Sequence, residues 1–286
     1  MGRERARLWR REYGEVSRNA EAEDVADLVF GSDAADRMGV RDDVLKKRLQ
    51  RIAARFSSRD FLFFDPSTEP PPKDMPMECG CGEHNPRGRK ICQRCRTSLT
   101  MMSAYEVWSS ALTTSYTGQQ YGVRLGASYT DVLNWLPVMR PYPNPPKHGD
   151  SSDFYWAIYA VTHVVYTLND YSAYKLSPSW LPDEYAFLKR NLTEAIKMAD
   201  PEALGEFLDS LKSFGLVESH PLIRKGMNYL LSSQNGDGSW GDADAEDIYE
   251  RFHSTWTGID GLREYSWRGE RLSFQRLKPL LGGWAR

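Results

Sequence analysis

Residues 158–170 read Ile158-Tyr159-Ala160-Val161-Thr162-His163-Val164-Val165-Tyr166-Thr167-Leu168-Asn169-Asp170. The same frame returns 90 residues later as Ile248-Tyr249-Glu250-Arg251-Phe252-His253-Ser254-Thr255-Trp256-Thr257-Gly258-Ile259-Asp260. Ile, Tyr, His, a large aromatic, Thr and Asp hold matching places in the two copies. The spacing predicts that the positions from Tyr to Asp share one side of a helix. A single histidine on an apolar helix is ordinarily a core residue with its hydrogen bonds satisfied. Two in one frame predict a repeat architecture whose corresponding helices face one cavity.

The residues between the copies carry helix punctuation. Asp200-Pro201-Glu202 pairs an N-cap residue with a proline suited to the first helical turn. Gly215 follows Ser213-Phe214 as a C-terminal stop. The second copy is preceded by Lys225-Gly226-Met227-Asn228-Tyr229-Leu230-Leu231-Ser232-Ser233-Gln234-Asn235-Gly236-Asp237-Gly238-Ser239-Trp240-Gly241. Here Asn235–Gly238 predicts a tight turn, with Gln234 bonding helix-end groups and Trp240 packed over the turn.

Lys225, Gly226, Tyr229, Leu230, Leu231, Gln234, Gly238 and Trp240 resemble the QW repeat of squalene cyclases and related prenyltransferase-type proteins. The resemblance implies an all-α fold, an (α/α) toroid, with His163 and His253 on inner helices. It makes 202–214 the inner helix between them and the repeat about 45 residues long. The strong likeness covers about 40 residues and points to fold rather than chemistry. The acidic motif with which class II terpene cyclases protonate their substrate is missing from this chain. So is the aspartate-rich diphosphate motif of class I enzymes. Asp242, Asp244, Glu246 and Asp247 fall in the turn after Trp240, where they suit the N-terminus of the next helix.

All four cysteines lie between 79 and 95: Cys79, Cys81, Cys92 and Cys95. This segment resembles small zinc ribbons, which implies four thiolates closing a structural Zn²⁺ site. The first pair is Cys-x-Cys, one residue short of the usual knuckle, so His84 is a candidate substitute ligand. Gly80–Asn85 also resembles the thioester motif of complement-like proteins, but His84 stands where its glutamine must be. Clustered cysteines predict a metal knuckle in a reducing compartment rather than a disulfide framework.

The remaining chain sets boundaries. The 286 residues carry a net charge of −2, so no global field favours nucleic acid. No apolar run approaches the roughly 20 residues that span a bilayer. Met1–Arg7 leads into no apolar signal segment, so a soluble cytoplasmic protein is expected. Residues 1–60 read as helical, with Asp42–Phe56 (Val44, Leu49, Ile52, Phe56) the clearest amphipathic stretch. Pro70-Pro71-Pro72 marks a linker, and a second breaker runs from Pro141 to Pro146. The expected divisions are a helical region and linker at 1–75, a zinc-ribbon-like knuckle at 76–100, and a toroid domain at 101–286.

In the toroid, His163 and His253 would share one layer and Asp170 and Asp260 another. Three arrangements satisfy this pattern. In the first, the side chains pack in the core, with each histidine bonded to a hydroxyl. In the second, they line a polar pocket with Tyr159, Tyr166, Asn169, Tyr249 and Trp256. In the third, His163 and His253 hold a second divalent metal with Glu206 or Asp209. The functional expectation is an enzyme acting on an apolar or aromatic small molecule, with the histidines as acid/base groups or metal ligands and Asp170 and Asp260 as orienting groups or secondary acids. The alternative is a non-enzymatic scaffold whose knuckle, flanked by Arg87–Arg96, contacts a protein or nucleic acid. An enzyme needs an open cavity, whereas a scaffold fills it. The sequence leaves the oligomeric state open.

Overall fold

The computed structural model describes residues 2–146 and 152–284. The described residues are helical, with three isolated β-bridges and no named strand. Two compact units divide the chain, Met1–Val138 and Met139–Arg286. Residues 101–138 fall in the first of these units.

The first unit contains α1 (Gly2–Glu12), α2 (Ala22–Arg37), α3 (Asp43–Ala53), α4 (Ser58–Leu62), α5 (Ala104–Tyr121) and α6 (Tyr129–Leu133), and α7 (Leu136–Met139) falls at the boundary. α5 is its core helix, packed on α2, α4 and α6. Val107, Trp108, Leu112 and Tyr116 of α5 are buried. Ser103 and Glu106 close its start by a reciprocal capping box, and Gly122 ends it at φ 82°. On α3 the buried stripe is Leu45, Leu49 and Ile52, while Val44 is 80% exposed. Val44 sits one residue, about 100°, away from Leu45 and so misses the core.

The second unit contains α8 (Ser152–Asn169), α9 (Pro182–Lys197), α10 (Pro201–Ser213), α11 (Pro221–Ser232) and α12 (Ile248–Leu262), followed by a 3-10 turn (Gln275–Leu277) and α13 (Lys278–Trp284). α10 lies between α8 and α12, while α9 and α11 pack on it and on each other. α9, α10 and α11 each begin on a proline, whose missing N–H costs nothing in the first turn. Asp200 caps α10 by accepting from Glu202 N and Ala203 N, and Gly215 stops it at φ 91°.

Glycines bring α10 and α12 almost to backbone contact. A Cβ on Gly205 would stand 2.3 Å from the Thr257 carbonyl oxygen, and one on Gly261 would stand 2.9 Å from Gly205 Cα. Gly226 of α11 admits Leu208 of α10 in the same way.

The 233–241 turn exchanges two expected roles. Gln234 donates to the Gly238 carbonyl, inside the turn rather than at a helix end. The helix-end bond is made by Trp240, whose Nε1 donates to the Leu230 carbonyl of α11 at 2.8 Å. Trp240 is 4% exposed and lies against Gly258 of α12. Its indole thus buries a large apolar area while adding a bond to an α11 carbonyl that also accepts from Ser233.

Candidate functional site

α10 carries Glu202, Glu206 and Asp209 at helical spacing, and each meets a side chain of the sequence repeat or its flank. Glu206 is buried and accepts from Thr162 Oγ1 of α8 at 2.5 Å. Burial, reinforced by Glu202, Asp209 and Asp200, lifts its carboxyl well above the ordinary range. Asp209 is also buried and accepts from Ser172 Oγ at 2.7 Å. Its carboxyl is pushed up to about 6, chiefly by burial, against the bonds from Tyr265 and Ser172.

Glu202 was not singled out by the sequence, yet it is the carboxylate that reaches a histidine. Its Oε2 lies 3.0 Å from His253 Nδ1, an ion-pair contact too bent to be a good hydrogen bond. Its Oε1 accepts from Tyr159 OH at 3.0 Å, and the Tyr159 and Tyr155 hydroxyls are 3.1 Å apart. Burial works against the ionised form of Glu202, but His253, Tyr159 and Ser254 hold its pKa below the ordinary value. The signal available in the sequence was its position one turn before Glu206.

His163 is partly exposed, and its Nδ1 donates to the Tyr159 carbonyl at 2.6 Å. That bond assigns the proton to Nδ1 and leaves Nε2 as the acceptor. Burial pushes its pKa down to about 4, aided by nearby His253 and opposed by the Tyr159 carbonyl. His163 is therefore neutral at pH 7. Aromatic rings continue along both helices. Tyr155, Tyr159, His163, Tyr166 and Tyr171 form a ladder along and just beyond α8. On α12, Tyr249 stacks on His253 at 4.6 Å and Trp256 meets the same ring edge-on.

The two aspartates of the repeat differ. Asp170 falls beyond α8, where it, Tyr171 and Ser172 take φ values of 57°, 49° and 64°. It therefore leaves the helical face expected for it. Asp260 remains on α12 and pairs with Arg263 Nε at 3.1 Å. Burial raises its pKa, against the pull of Arg263 and a bond from Trp256. Asn169 is a buried brace between helices, donating to Ser213 Oγ and accepting from Ser172 N. A cavity of about 300 Å³ near the α12 C-terminus is lined by Lys212, Met227, Arg263, Tyr265 and Trp267, and by neither histidine.

The second metal set is not assembled. His163, His253, Glu206 and Asp209 are all described, and no three of them bring ligand atoms within 4.8 Å of one another. The carboxylates are taken by Thr162 and Ser172, and the His163 Nδ1 by a carbonyl.

The four cysteines do assemble. Their Sγ atoms lie within 4.8 Å of one another, and none forms a disulfide. Cys79 and Cys95 Sγ are 3.3 Å apart, and Cys81 and Cys92 Sγ 3.7 Å. Tetrahedral Zn–S bonds would set sulfurs about 3.8 Å apart, so the cluster fits a metal ion of that size. Two bonded arms support it. Met77 N donates to Thr100 O and Met102 N to Met75 O, while Cys92 N and Leu99 N pair with Thr97 O and Lys90 O at the tip. Gly82, at φ 78°, makes the tight turn after the shortened first pair. Burial opposes a thiolate at Cys92, but Cys95 N–H, Arg94 N–H and the Asn85 amide bring its pKa down to about 6. His84 is outside the cluster. Compared with protein-family models, with curated proteins and with solved structures, the chain matches none.

Proposed function

We propose that this chain is an (α/α) toroid-type protein with a zinc-ribbon-like insertion, and that α8, α10 and α12 carry an acid–base site for an apolar or aromatic small molecule. The QW-like turn and the α8–α10–α12 order support the toroid reading. Cys79, Cys81, Cys92 and Cys95 would hold zinc in a structural role, since four thiolates leave no open position.

The observation that carries the catalytic reading is the Tyr159–Glu202–His253 chain. Glu202, 3.0 Å from His253 Nδ1, faces that side of the ring and leaves Nε2 to exchange a proton with substrate. His163, neutral with Nε2 open, is suited to accept a hydrogen bond from substrate rather than to serve as the acid. Tyr166, Tyr249 and Trp256 supply apolar walls. The reaction class is proton removal and return on carbon, as in an isomerisation.

The test is deuterium incorporation. Wild type is incubated in D₂O with a panel of monoaromatic and terpenoid compounds, and carbon-bound deuterium is read by mass spectrometry. Incorporation that is lost in Glu202→Gln and His253→Gln, with melting temperatures retained, supports the proposal. No incorporation and no ligand-induced thermal shift across the panel would overturn it.

The scaffold reading has one observation of its own: Arg89, Lys90, Arg94 and Arg96 are exposed around the cysteine knuckle. Salt-sensitive binding of a nucleic-acid or acidic-peptide probe, lost when these four are replaced by Ala, would favour it.

A further inference from the structure

One strip of α12 is built like an interior but faces outward. Ile248, Tyr249, Phe252, Trp256 and Ile259 are 74%, 53%, 49%, 51% and 51% exposed. The spacing of 248, 252, 256 and 259 defines one helical face. The other side of α12, with Thr257, Gly258 and Gly261 buried, carries the close approach to α10.

The sequence repeat indicates what such a strip takes. In the shared frame these five residues correspond to Ile158, Tyr159, Thr162, Tyr166 and Asn169 of α8. All five of those are buried. The neighbouring helix α10 meets Tyr159 with Glu202, Thr162 with Glu206 and Asn169 with Ser213. On α8, then, this face receives a helix. On α12 Phe252 and Ile259 replace the polar Thr162 and Asn169, so the helix received there must itself be apolar.

We infer that the occupant is a second copy of this chain, with α12 packed antiparallel on α12 about a two-fold axis. The face is apolar along its length, so it complements itself, as an isologous contact requires. Charge selects the direction. The approach to α12 carries Asp242, Asp244, Glu246, Asp247 and Glu250, and its exit carries Arg263, Arg268 and Arg271 beside Asp260, Glu264 and Glu270. Antiparallel pairing sets the acidic start of one copy against the charge-balanced exit of the other, whereas parallel pairing opposes two acidic starts. The strip offers roughly 500 Å² per copy, about 1,000 Å² in all, which is the lower end for a specific interface. The dimer is therefore reversible and concentration-dependent. Tyr249 and Trp256 touch His253, so the second copy would also wall that side of the histidine.

Sedimentation velocity on the full chain tests this from about 1 to about 100 µM, a range that spans weak self-association. Wild type should shift from monomer to dimer. Phe252→Glu and Ile259→Glu should each weaken association at least tenfold without lowering the melting temperature, because both side chains are exposed. Orientation has its own readout. Mixing Ile248→Cys and Ile259→Cys chains under mild oxidation should give a mixed disulfide, and Ile248→Cys alone should give none through that residue. A wild type that stays monomeric throughout, a dimer unaffected by Phe252→Glu, or efficient 248–248 crosslinking would overturn the inference. This outcome is independent of whether the His253 site is catalytic.

Discussion

At the scale of single residues, His163 and Asp209 respond to burial with opposite signs. A buried imidazole resists taking a proton, and a buried carboxyl resists losing one. His163 is held at about 4, so its contribution to stability is complete above its ordinary pKa near 6.5. That contribution is lost as pH falls from 6.5 to 4, because the unfolded chain binds the proton first. Allowing for the partly exposed ring, the loss is on the order of 2 kcal/mol. Asp209, held up to about 6, behaves the other way: stability falls as pH rises from about 4 through 6, as the unfolded chain ionises first. Urea denaturation from pH 4 to pH 7 should therefore show that His163→Gln removes a rising slope and Asp209→Asn a falling one. Two-dimensional NMR should find His163 neutral with its proton on Nδ1 at pH 6. An imidazolium signal there would contradict the assignment.

At the scale of helices, the close approach of α10 to α12 depends on having no side chain at Gly205 or Gly261. Gly205→Ala must push apart backbone at Thr257, not the flexible end of a side chain. We expect a loss of about 3 kcal/mol, at the upper end for overpacking. Trp240→Ala removes both a buried indole and the bond to Leu230, and should cost about 3–5 kcal/mol. Equilibrium denaturation measures both, and losses below about 1 kcal/mol would show that the α10–α12 contact tolerates an added methyl and the α11–α12 contact a gap. Both glycines were visible in the sequence only as small residues. Their role needed the partner helix, because a glycine in a helix does not announce what it touches. The Trp240 burial was legible, since a large aromatic after a glycine-rich turn has to find cover. That Trp240 rather than Gln234 joins Ser233 at the Leu230 carbonyl depended on which side chain the folded turn brought there.

At the scale of the whole molecule, one cluster among the described residues has metal-ligand geometry, the four cysteines. The purified chain should carry one equivalent of zinc by elemental analysis. Cys92→Ser should release it and loosen residues 76–100, because site formation and local folding are coupled. His163→Ala and His253→Ala should leave the metal content unchanged. A second equivalent lost in either histidine variant would restore the two-metal arrangement, and a folded, metal-free protein with four reactive thiols would remove zinc from the proposal. No helix of the described chain is long and apolar enough to cross a membrane, in line with the hydropathy of the sequence.

The sequence alone determined the helical class, the helix start at Asp200, the acidic approach to the helix after Trp240, the stop at Gly215 and the grouping of the cysteines. Each of these follows from local chemistry: a capping carboxylate, a residue free to take positive φ, ligands only a few positions apart. Tertiary structure decided the rest. Asp170 leaves the helical face because α8 ends one residue earlier, in a left-handed turn that no spacing argument sees. Glu202, rather than Glu206 or Asp209, meets His253 because the rotation of α10 between α8 and α12 aims the earlier carboxylate at the α12 imidazole and encloses the later two. The same packing turns matching positions of the repeat inward on α8 and outward on α12. A periodic pattern specifies which residues share a face, but what covers that face is settled only when the next helix is in place.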